Sequence, residues 1–339
     1  MTNELTPHTR HEPAHTTRMD AVVDATTAQR VASGFSANTR RAYAHHLTRY
    51  QNWCHSQDRT PYPATPQTLA SWVSHLRDEG KAPSTVEVSL SAVRSEHTRL
   101  GHPINTEGAR LALRDHKRTW AENGGRTKQA AAITPEQLRA MIDQAPAGTL
   151  SGIRDRALLT LGFAGMFRRS DLSRLNISDV HLTDEGLEVF LSQSKTDQDA
   201  HGHTRRMAYG TRRDTCPVRS TLEWINALAS LGIETGALLR GVDRHGKLSG
   251  TPGASGSTSQ RLSPLSIGRA IQRLAERAGV EGVSGHSLRA GAATTAAKAG
   301  VDRSDIAEQG QWHPESTAIE RYIRPGQGWD RTASRYLGL

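Results

Sequence analysis

Cysteine is nearly absent: the 339-residue chain has two, Cys54 and Cys216, far apart, with no CxxC and no Cys/His cluster. That excludes a disulfide framework or structural zinc site as the organising device and predicts a reducing, cytoplasmic setting. Long apolar runs are missing too. The longest, Ala157 to Phe167, covers 11 residues, whereas a bilayer span needs about 20, so no membrane partner is expected. The N-terminus carries Glu4 and Glu12 and has no apolar h-region, which excludes a secretory signal. There is no repeat at solenoid periods, and no acidic cluster of the kind that holds two catalytic metals. Acidic residues are in deficit overall, with 34 Asp+Glu against 43 Lys+Arg and a net charge of +9. With a pI near 10.0, the chain should attract a polyanion, nucleic acid first.

The length predicts about two domains. Residues 1–32 are polar and threonine-rich, without sustained periodicity, and their histidines His8, His11 and His15 have no accompanying carboxylate or cysteine set. Such a segment cannot offset its own ordering entropy and is expected to be a mobile tail. It is also too short to be an independent nucleic-acid-binding domain. From Ser36 onward, apolar residues recur at helical spacing: Tyr43, Leu47, Tyr50 and Cys54; then Leu69, Trp72, Val73 and Leu76 after the Thr65-Pro66 start; then Val86, Leu90, Val93 and Leu100 from about Ser84. A fourth helix is expected at about 106–120. Residues 33–122 thus read as a helical domain and 123–132, with Gly124, Gly125, Arg126 and Lys128, as a basic linker. Residues 133–339 read as a second, mainly helical domain. It has an apolar helix near 158–167, strands at 187–191 and 206–209, and helices near 218–231, 264–279, 286–299, 302–309 and 315–323. The spacing of Trp329, Ala333, Tyr336 and Leu337 predicts a further short helix that must dock on something.

Chemistry-bearing residues concentrate in this second domain. His286 and Arg289 stand three apart at the start of an alanine-rich helix, on one face and near the amides and dipole that favour a phosphate. Trp312-His313-Pro314 follows, and Tyr322 comes nine residues after His313. Along a straight helix that is about 13 Å. Arg168 directly follows the apolar run, with Asp171 three residues on. A partly buried arginine there needs an anion, either Asp171 or a substrate phosphate. Lys195 sits between the two strand runs. Taken singly, each feature has an ordinary structural explanation: a solvated HxxR pair, a core tyrosine, an Arg–Asp ion pair, a surface hairpin lysine.

Together they resemble the tyrosine recombinases, or phage-integrase family, and within it the Cre type. Arg168-Arg169-Ser170-Asp171-Leu172 is similar to the family's first-arginine box, Lys195 to its hairpin lysine, His286-Ser287-Leu288-Arg289 to its HxxR box, His313 to its His/Trp position and Tyr322 to its nucleophile. Ser284 to Arg289, Ala299-Gly300-Val301, Tyr322-Ile323-Arg324 and Thr258-Ser259-Gln260 look Cre-like. Phe35-Ser36, Thr39, Trp53-Cys54 and Lys128-Gln129-Ala130 match the core-binding domain and linker. Two departures stand out: Asp171 where the family usually has Glu, and Gln311-Trp312 where Leu-Gly is common. The nine-residue spacing favours His313 for the phosphate, with Trp312 as its neighbour.

The resemblance implies a mainly α fold with a small β-sheet or hairpin (α+β), arranged as a two-domain DNA clamp of a core-binding and a catalytic domain. It implies catalytic Arg168, Lys195, His286, Arg289, His313 and Tyr322, supported by Asp171 and Trp312, with no metal or other cofactor. A tyrosine phenol can attack a phosphodiester and keep its energy in a covalent 3′-phosphotyrosine, so strands are rejoined without ATP. Two arginines can hold the non-bridging oxygens, and a lysine can protonate the departing 5′ oxygen. Expected partners are double-stranded DNA with paired specific sites and, on it, a homotetramer passing through a Holliday junction, with a monomer or dimer on a single site. Thr39, Arg40, Arg41, Ser84, Thr85 and Arg94, with Lys128 and Ser263, are candidate DNA contacts. The alternatives are a type IB topoisomerase, which shares the chemistry, and a helix-turn-helix regulator, which leaves Lys195 and Tyr322 without a purpose.

Overall fold

Several helix starts in this chain are marked by a capping hydroxyl, a first-turn proline, or both. The computed structural model describes residues 24, 26, 34–126, 129–192, 202–256, 259–313, 315–328 and 332–337, and they fall in two compact units, 1–127 and 128–339. In the first, Ser36 caps α1 (Ala37–Ser56) by accepting the Thr39 N–H at 3.2 Å. Thr65 likewise caps α2 (Pro66–Asp78), accepting the Thr68 N–H at 3.1 Å, with Pro66 in the first turn. The third helix, α3 (Pro83–Arg99), begins at Pro83 behind Ala82. Ser84 and Thr85 therefore lie in its first turn and do not cap it. The fourth, α4, spans Glu107–Glu122.

These helices bury Tyr50, Trp53, Cys54, Leu69, Trp72, Val86, Leu90 and Val93 in one core. Its polar groups are satisfied locally. Trp72 Nε1 donates to Ser89 Oγ at 3.0 Å, and His97 accepts from the Ala64 N–H at 2.9 Å while its other ring nitrogen donates to Val93 O. Truncating Trp72 would cost about 3–5 kcal/mol by core excavation.

The second unit starts with α5 (Pro135–Asp143), closed by a reciprocal Thr134–Gln137 capping box. The expected apolar helix is α6 (Leu150–Ala164), longer at its N-terminal end because Thr149 caps it. A short α7 (Arg169–Arg174) follows. The sheet has three antiparallel strands in chain order, β1 (Val180–Leu182), β2 (Gly186–Leu191) and β3 (His203–Ala208), rather than a lone hairpin. Val189 pairs with Arg205 and Leu187 with Met207. Then come α8 (Pro217–Ala229), α9 (Pro264–Arg277), α10 (Ser287–Lys298) and α11 (Arg303–Gly310).

The expected continuous helix over 315–323 is instead a 3-10 turn at Thr317–Ile319 that leads into α12 (Glu320–Gln327). Gly328, at φ +55°, ends it. The expected helix beyond Gly328 is, among the described residues, one 3-10 turn at Ala333–Tyr336.

Two close approaches fix α10, the helix on which the site is built. A side-chain carbon at Gly291 would lie 2.1 Å from Ile133 O, and one at Gly326 would lie 2.5 Å from Thr294 O. Only glycine lets the 133 segment and α12 press onto the α10 backbone. A small cluster of Met166, Ala292, Ala293, Ala297, Ile306, Ile319 and Ile323 seals α10, α11 and α12 together, with Trp312 and Tyr322 packed against it.

Candidate active site

Two residues in the left-handed region shape the site. Among the described residues only Asp58, Met166 and Gln311 combine positive φ with a side chain, and the last two, at φ +48° and +52°, turn their carbonyls toward arginines. Arg289 Nη1 donates to Met166 O at 2.7 Å. Arg168 Nη2 reaches Gln311 O at 3.4 Å. Arg289, on α10, is only 3% exposed, and Arg168 stands just before α7, its own N–H donating to Asp171 Oδ2 at 3.1 Å.

A third guanidinium joins them. Arg205, on β3, is fully buried, donates to Gly165 O and to Gln311 Oε1 at 3.1 Å, and lies over the Phe167 ring at 4.5 Å. Among the described residues, one carboxylate faces this set. Asp171, also fully buried, has its Oδ2 3.9 Å from Arg168 Nη1 and 3.8 Å from Arg205 Nη2, while its Oδ1 accepts from Ser170 Oγ at 3.2 Å. Three buried or nearly buried positive charges thus meet one negative charge. Burial first, then Arg168 and Arg205, pushes the Arg289 guanidinium down to about 8. Burial also lowers Arg205 to about 10, with Asp171 opposing and Arg168 adding to the fall. Arg168 Nη1, Arg205 Nε and Arg289 Nη2 are buried and have no hydrogen-bond partner among the described residues. Donors in that condition fit a multivalent oxyanion.

The expected nucleophile is beside them. Tyr322 is half-buried on α12, its ring 5.5 Å from that of Trp312, and its phenol is among the groups that act on the Arg289 charge. Trp312 in turn stacks on Arg289, 3.6 Å from guanidinium carbon to ring centre. Gly310 makes room for that indole, since a side-chain carbon there would be 1.8 Å from it. His313 is exposed, and its Nδ1 accepts the Glu315 N–H at 3.2 Å, which leaves Nε2 to carry the proton of a neutral ring. His286 is exposed just ahead of α10, whereas Arg289 is buried one turn inside it. The pair therefore does not share one environment, as helical spacing alone suggests. Lys195 and Pro314 fall outside the described residues. Tyr50 and Tyr62, in the core of the first unit, are raised by burial, Tyr62 to about 12, and make poor nucleophiles.

The candidate DNA contacts are peripheral. Arg40, Arg41, Ser84, Arg94 and Ser263 are exposed, and Thr39 and Thr85 half-exposed. Arg40 and Arg41 donate to Phe35 O and Asn38 Oδ1. Thr39 Oγ1 meets Ser36 Oγ at 2.9 Å, and Ser263 Oγ caps α9 by accepting the Ser266 N–H at 3.1 Å. Lys128 lies outside the described residues. Sequence reasoning passed over Arg205 and marked Gln311 only as a departure from the family pattern, without a role. Arg205 was legible in one respect, since it is in phase with Met207 on the buried side of β3.

Comparison with known proteins identifies the family and the fold. The phage integrase family matches residues 131–327, and the phage integrase N-terminal SAM-like domain matches residues 30–100. The chain is similar to the integrase/recombinase xerD homolog of Selenomonas ruminantium, 30% identical over 305 residues, 88% of this chain and 84% of that protein. It is also similar to recombinase cre of Escherichia phage P1, 24% identical over 302 residues, 86% and 84% of the two chains. Its fold is shared by a lambda integrase dimer bound to a COC′ core site (TM-score 0.57, 18% identity, 90% and 95% covered) and by the Tn1549 transposon integrase in complex with transposon right end DNA (TM-score 0.58, 13% identity, 92% and 96% covered). The chain belongs to the phage integrase family. It is a tyrosine recombinase, an enzyme of site-specific recombination that cleaves and rejoins DNA, and neither the topoisomerase nor the regulator alternative is favoured.

Proposed function

We propose that Tyr322 attacks the scissile phosphate and forms a 3′-phosphotyrosyl bond, releasing a 5′ hydroxyl that later attacks a partner strand. The observation that carries this assignment is the packing of Tyr322, through Trp312, onto the Arg289 end of a three-guanidinium, one-carboxylate cluster. Arg168 and Arg289 hold the non-bridging oxygens and stabilise the charge of the pentacoordinate transition state. His313, with its proton on Nε2, adds a donor. His286 assists proton transfer at the rim, and Lys195 protonates the leaving oxygen. Asp171 sets the orientation of Arg168, and Trp312 that of Arg289.

The helical domain of residues 33–122 acts as the core-binding domain, with Thr39, Arg40, Arg41, Ser84, Thr85 and Arg94 on phosphates or base edges, and Lys128 in the linker and Ser263 in the second unit add contacts. A monomer or dimer occupies one DNA site. Four strands must be cut in pairs and each chain has one Tyr322, so a homotetramer on two sites, passing through a Holliday junction, completes the exchange. The segment after Gly328 docks on the neighbouring subunit. We place the enzyme in the cytoplasm, with the DNA it acts on. The test is Tyr322→Phe, which removes only the phenolic oxygen. Denaturant-resistant DNA adduct should vanish while duplex retention persists, and an adduct that persists in the variant would overturn the assignment.

A further inference from the structure

The buried charge of Arg205 needs an explanation of its own. Its strand neighbour on the same face, Met207, is apolar and buried, so the face is core, and an apolar side chain of similar length would pack there without the desolvation cost of a guanidinium. What distinguishes Arg205 is that its partners come from separate segments. Gly165 follows α6, the Phe167 ring precedes the first arginine, Asp171 is on α7, and Gln311 follows α11. Gln311 is gripped twice, by Arg205 on its side-chain oxygen and by Arg168 on its carbonyl. The same junction is tied again two residues earlier, where Gln309 Nε2 donates to Arg206 O at 3.1 Å and Ala164 O at 3.0 Å.

We propose that Arg205 is a positioning residue for strand cleavage: it fixes Gln311, and with it the Trp312–His313 segment, against Arg168 and Asp171, and ties them to β3, the strand that follows Lys195 in the chain. The proposal rests on the recombinase assignment above and adds to it a residue that acts through others. A lysine would keep the charge, but one ammonium cannot reproduce the planar fork that spans Gly165 O and Gln311 Oε1 together.

The experiment uses the full chain and a supercoiled plasmid carrying the DNA that flanks its own gene, with adduct trapped by denaturant and duplex retention measured in parallel. Arg205→Met should form adduct about 100-fold more slowly, the size of loss that misplacement of a catalytic group produces, with DNA retention unchanged. Arg205→Lys should fall between Met and the native chain. Gln311→Leu cuts the same link from the other end, so the double variant should be no slower than Arg205→Met alone. Multiplying defects in the double variant, or equal losses of retention and cleavage, would overturn the proposal. If Arg205→Met does not fold, the same cycle is read with Arg205→Lys. Failure of the recombinase assignment shows separately, as a native adduct mapped to a residue other than Tyr322.

Discussion

The Arg289 guanidinium carbon lies 3.6 Å from the centre of the Trp312 indole, and the Tyr322 ring lies 5.5 Å from the same indole. One side chain therefore holds Arg289 and Tyr322, the proposed phosphate ligand and nucleophile, in a fixed relation. A stacked, partly desolvated guanidinium is worth about 1–2 kcal/mol.

Trp312→Ala should accordingly slow adduct formation by about 5- to 30-fold, and Trp312→Phe, which retains a ring face, by less. Single-turnover cleavage measures this. Native rates in Trp312→Ala would remove the indole from the site.

Arg168→Ala and Arg289→Ala should each lower the cleavage rate by about 10²- to 10³-fold, the loss expected for a transition-state donor, with a smaller effect on DNA retention. Gel retention and adduct assays on the same preparations separate the two quantities. A variant that loses both equally has lost DNA binding and not catalysis.

Asp171→Asn should destabilise the second unit by about 3 kcal/mol or more, because three guanidiniums then share the interior without a carboxylate. Chemical denaturation reads this as an earlier midpoint. Asp171→Glu, which keeps the charge, should recover part of it.

The same charge excess predicts an anion effect with a defined pH window. The folded-state value of Arg289 is about 8, far below that of a free guanidinium, so the unfolded chain binds the proton more tightly. The cost to folding is fully present below pH 8 and is progressively relieved as pH rises above 8. Sulfate, bound only by the folded protein, should therefore raise Tm most below pH 8 and progressively less above it. Calorimetry at constant ionic strength tests this, and Arg289→Ala should abolish the pH dependence. A sulfate effect independent of pH, or unchanged in Arg289→Ala, would mean the anion binds elsewhere.

Lys195→Ala should be rescued by a substrate whose 5′ leaving group needs no proton. Equal defects on ordinary and activated substrates would remove Lys195 from the acid role.

Much of this was written locally. Ser36, Thr65 and Thr134 each announce a helix start by a hydroxyl that the structure finds accepting a backbone N–H. The sheet was half legible: β1 has three residues, none of them buried, too few to show a period. Arg205 escaped because its significance lies in Gly165, Asp171 and Gln311, which sequence does not place beside it. The gap between His313 and Tyr322 was measured along an ideal helix, but the chain there passes through a 3-10 turn first. Turns of that kind depend on which carbonyls the surrounding packing leaves to be satisfied, and periodicity does not report them.

The contact at Gly326 has a genetic consequence. Because α12 is seated on α10 of the same chain, with room at Gly326 for nothing larger than hydrogen beside Thr294 O, Tyr322, the proposed nucleophile, and Arg289 are inherited as one physical block. A mixture of Tyr322→Phe and Arg289→Ala subunits should then fail to complement, since every subunit in it carries one broken half of its own site. A large side chain at position 326 should free the helix from that block and mimic the loss of Tyr322 without altering the tyrosine.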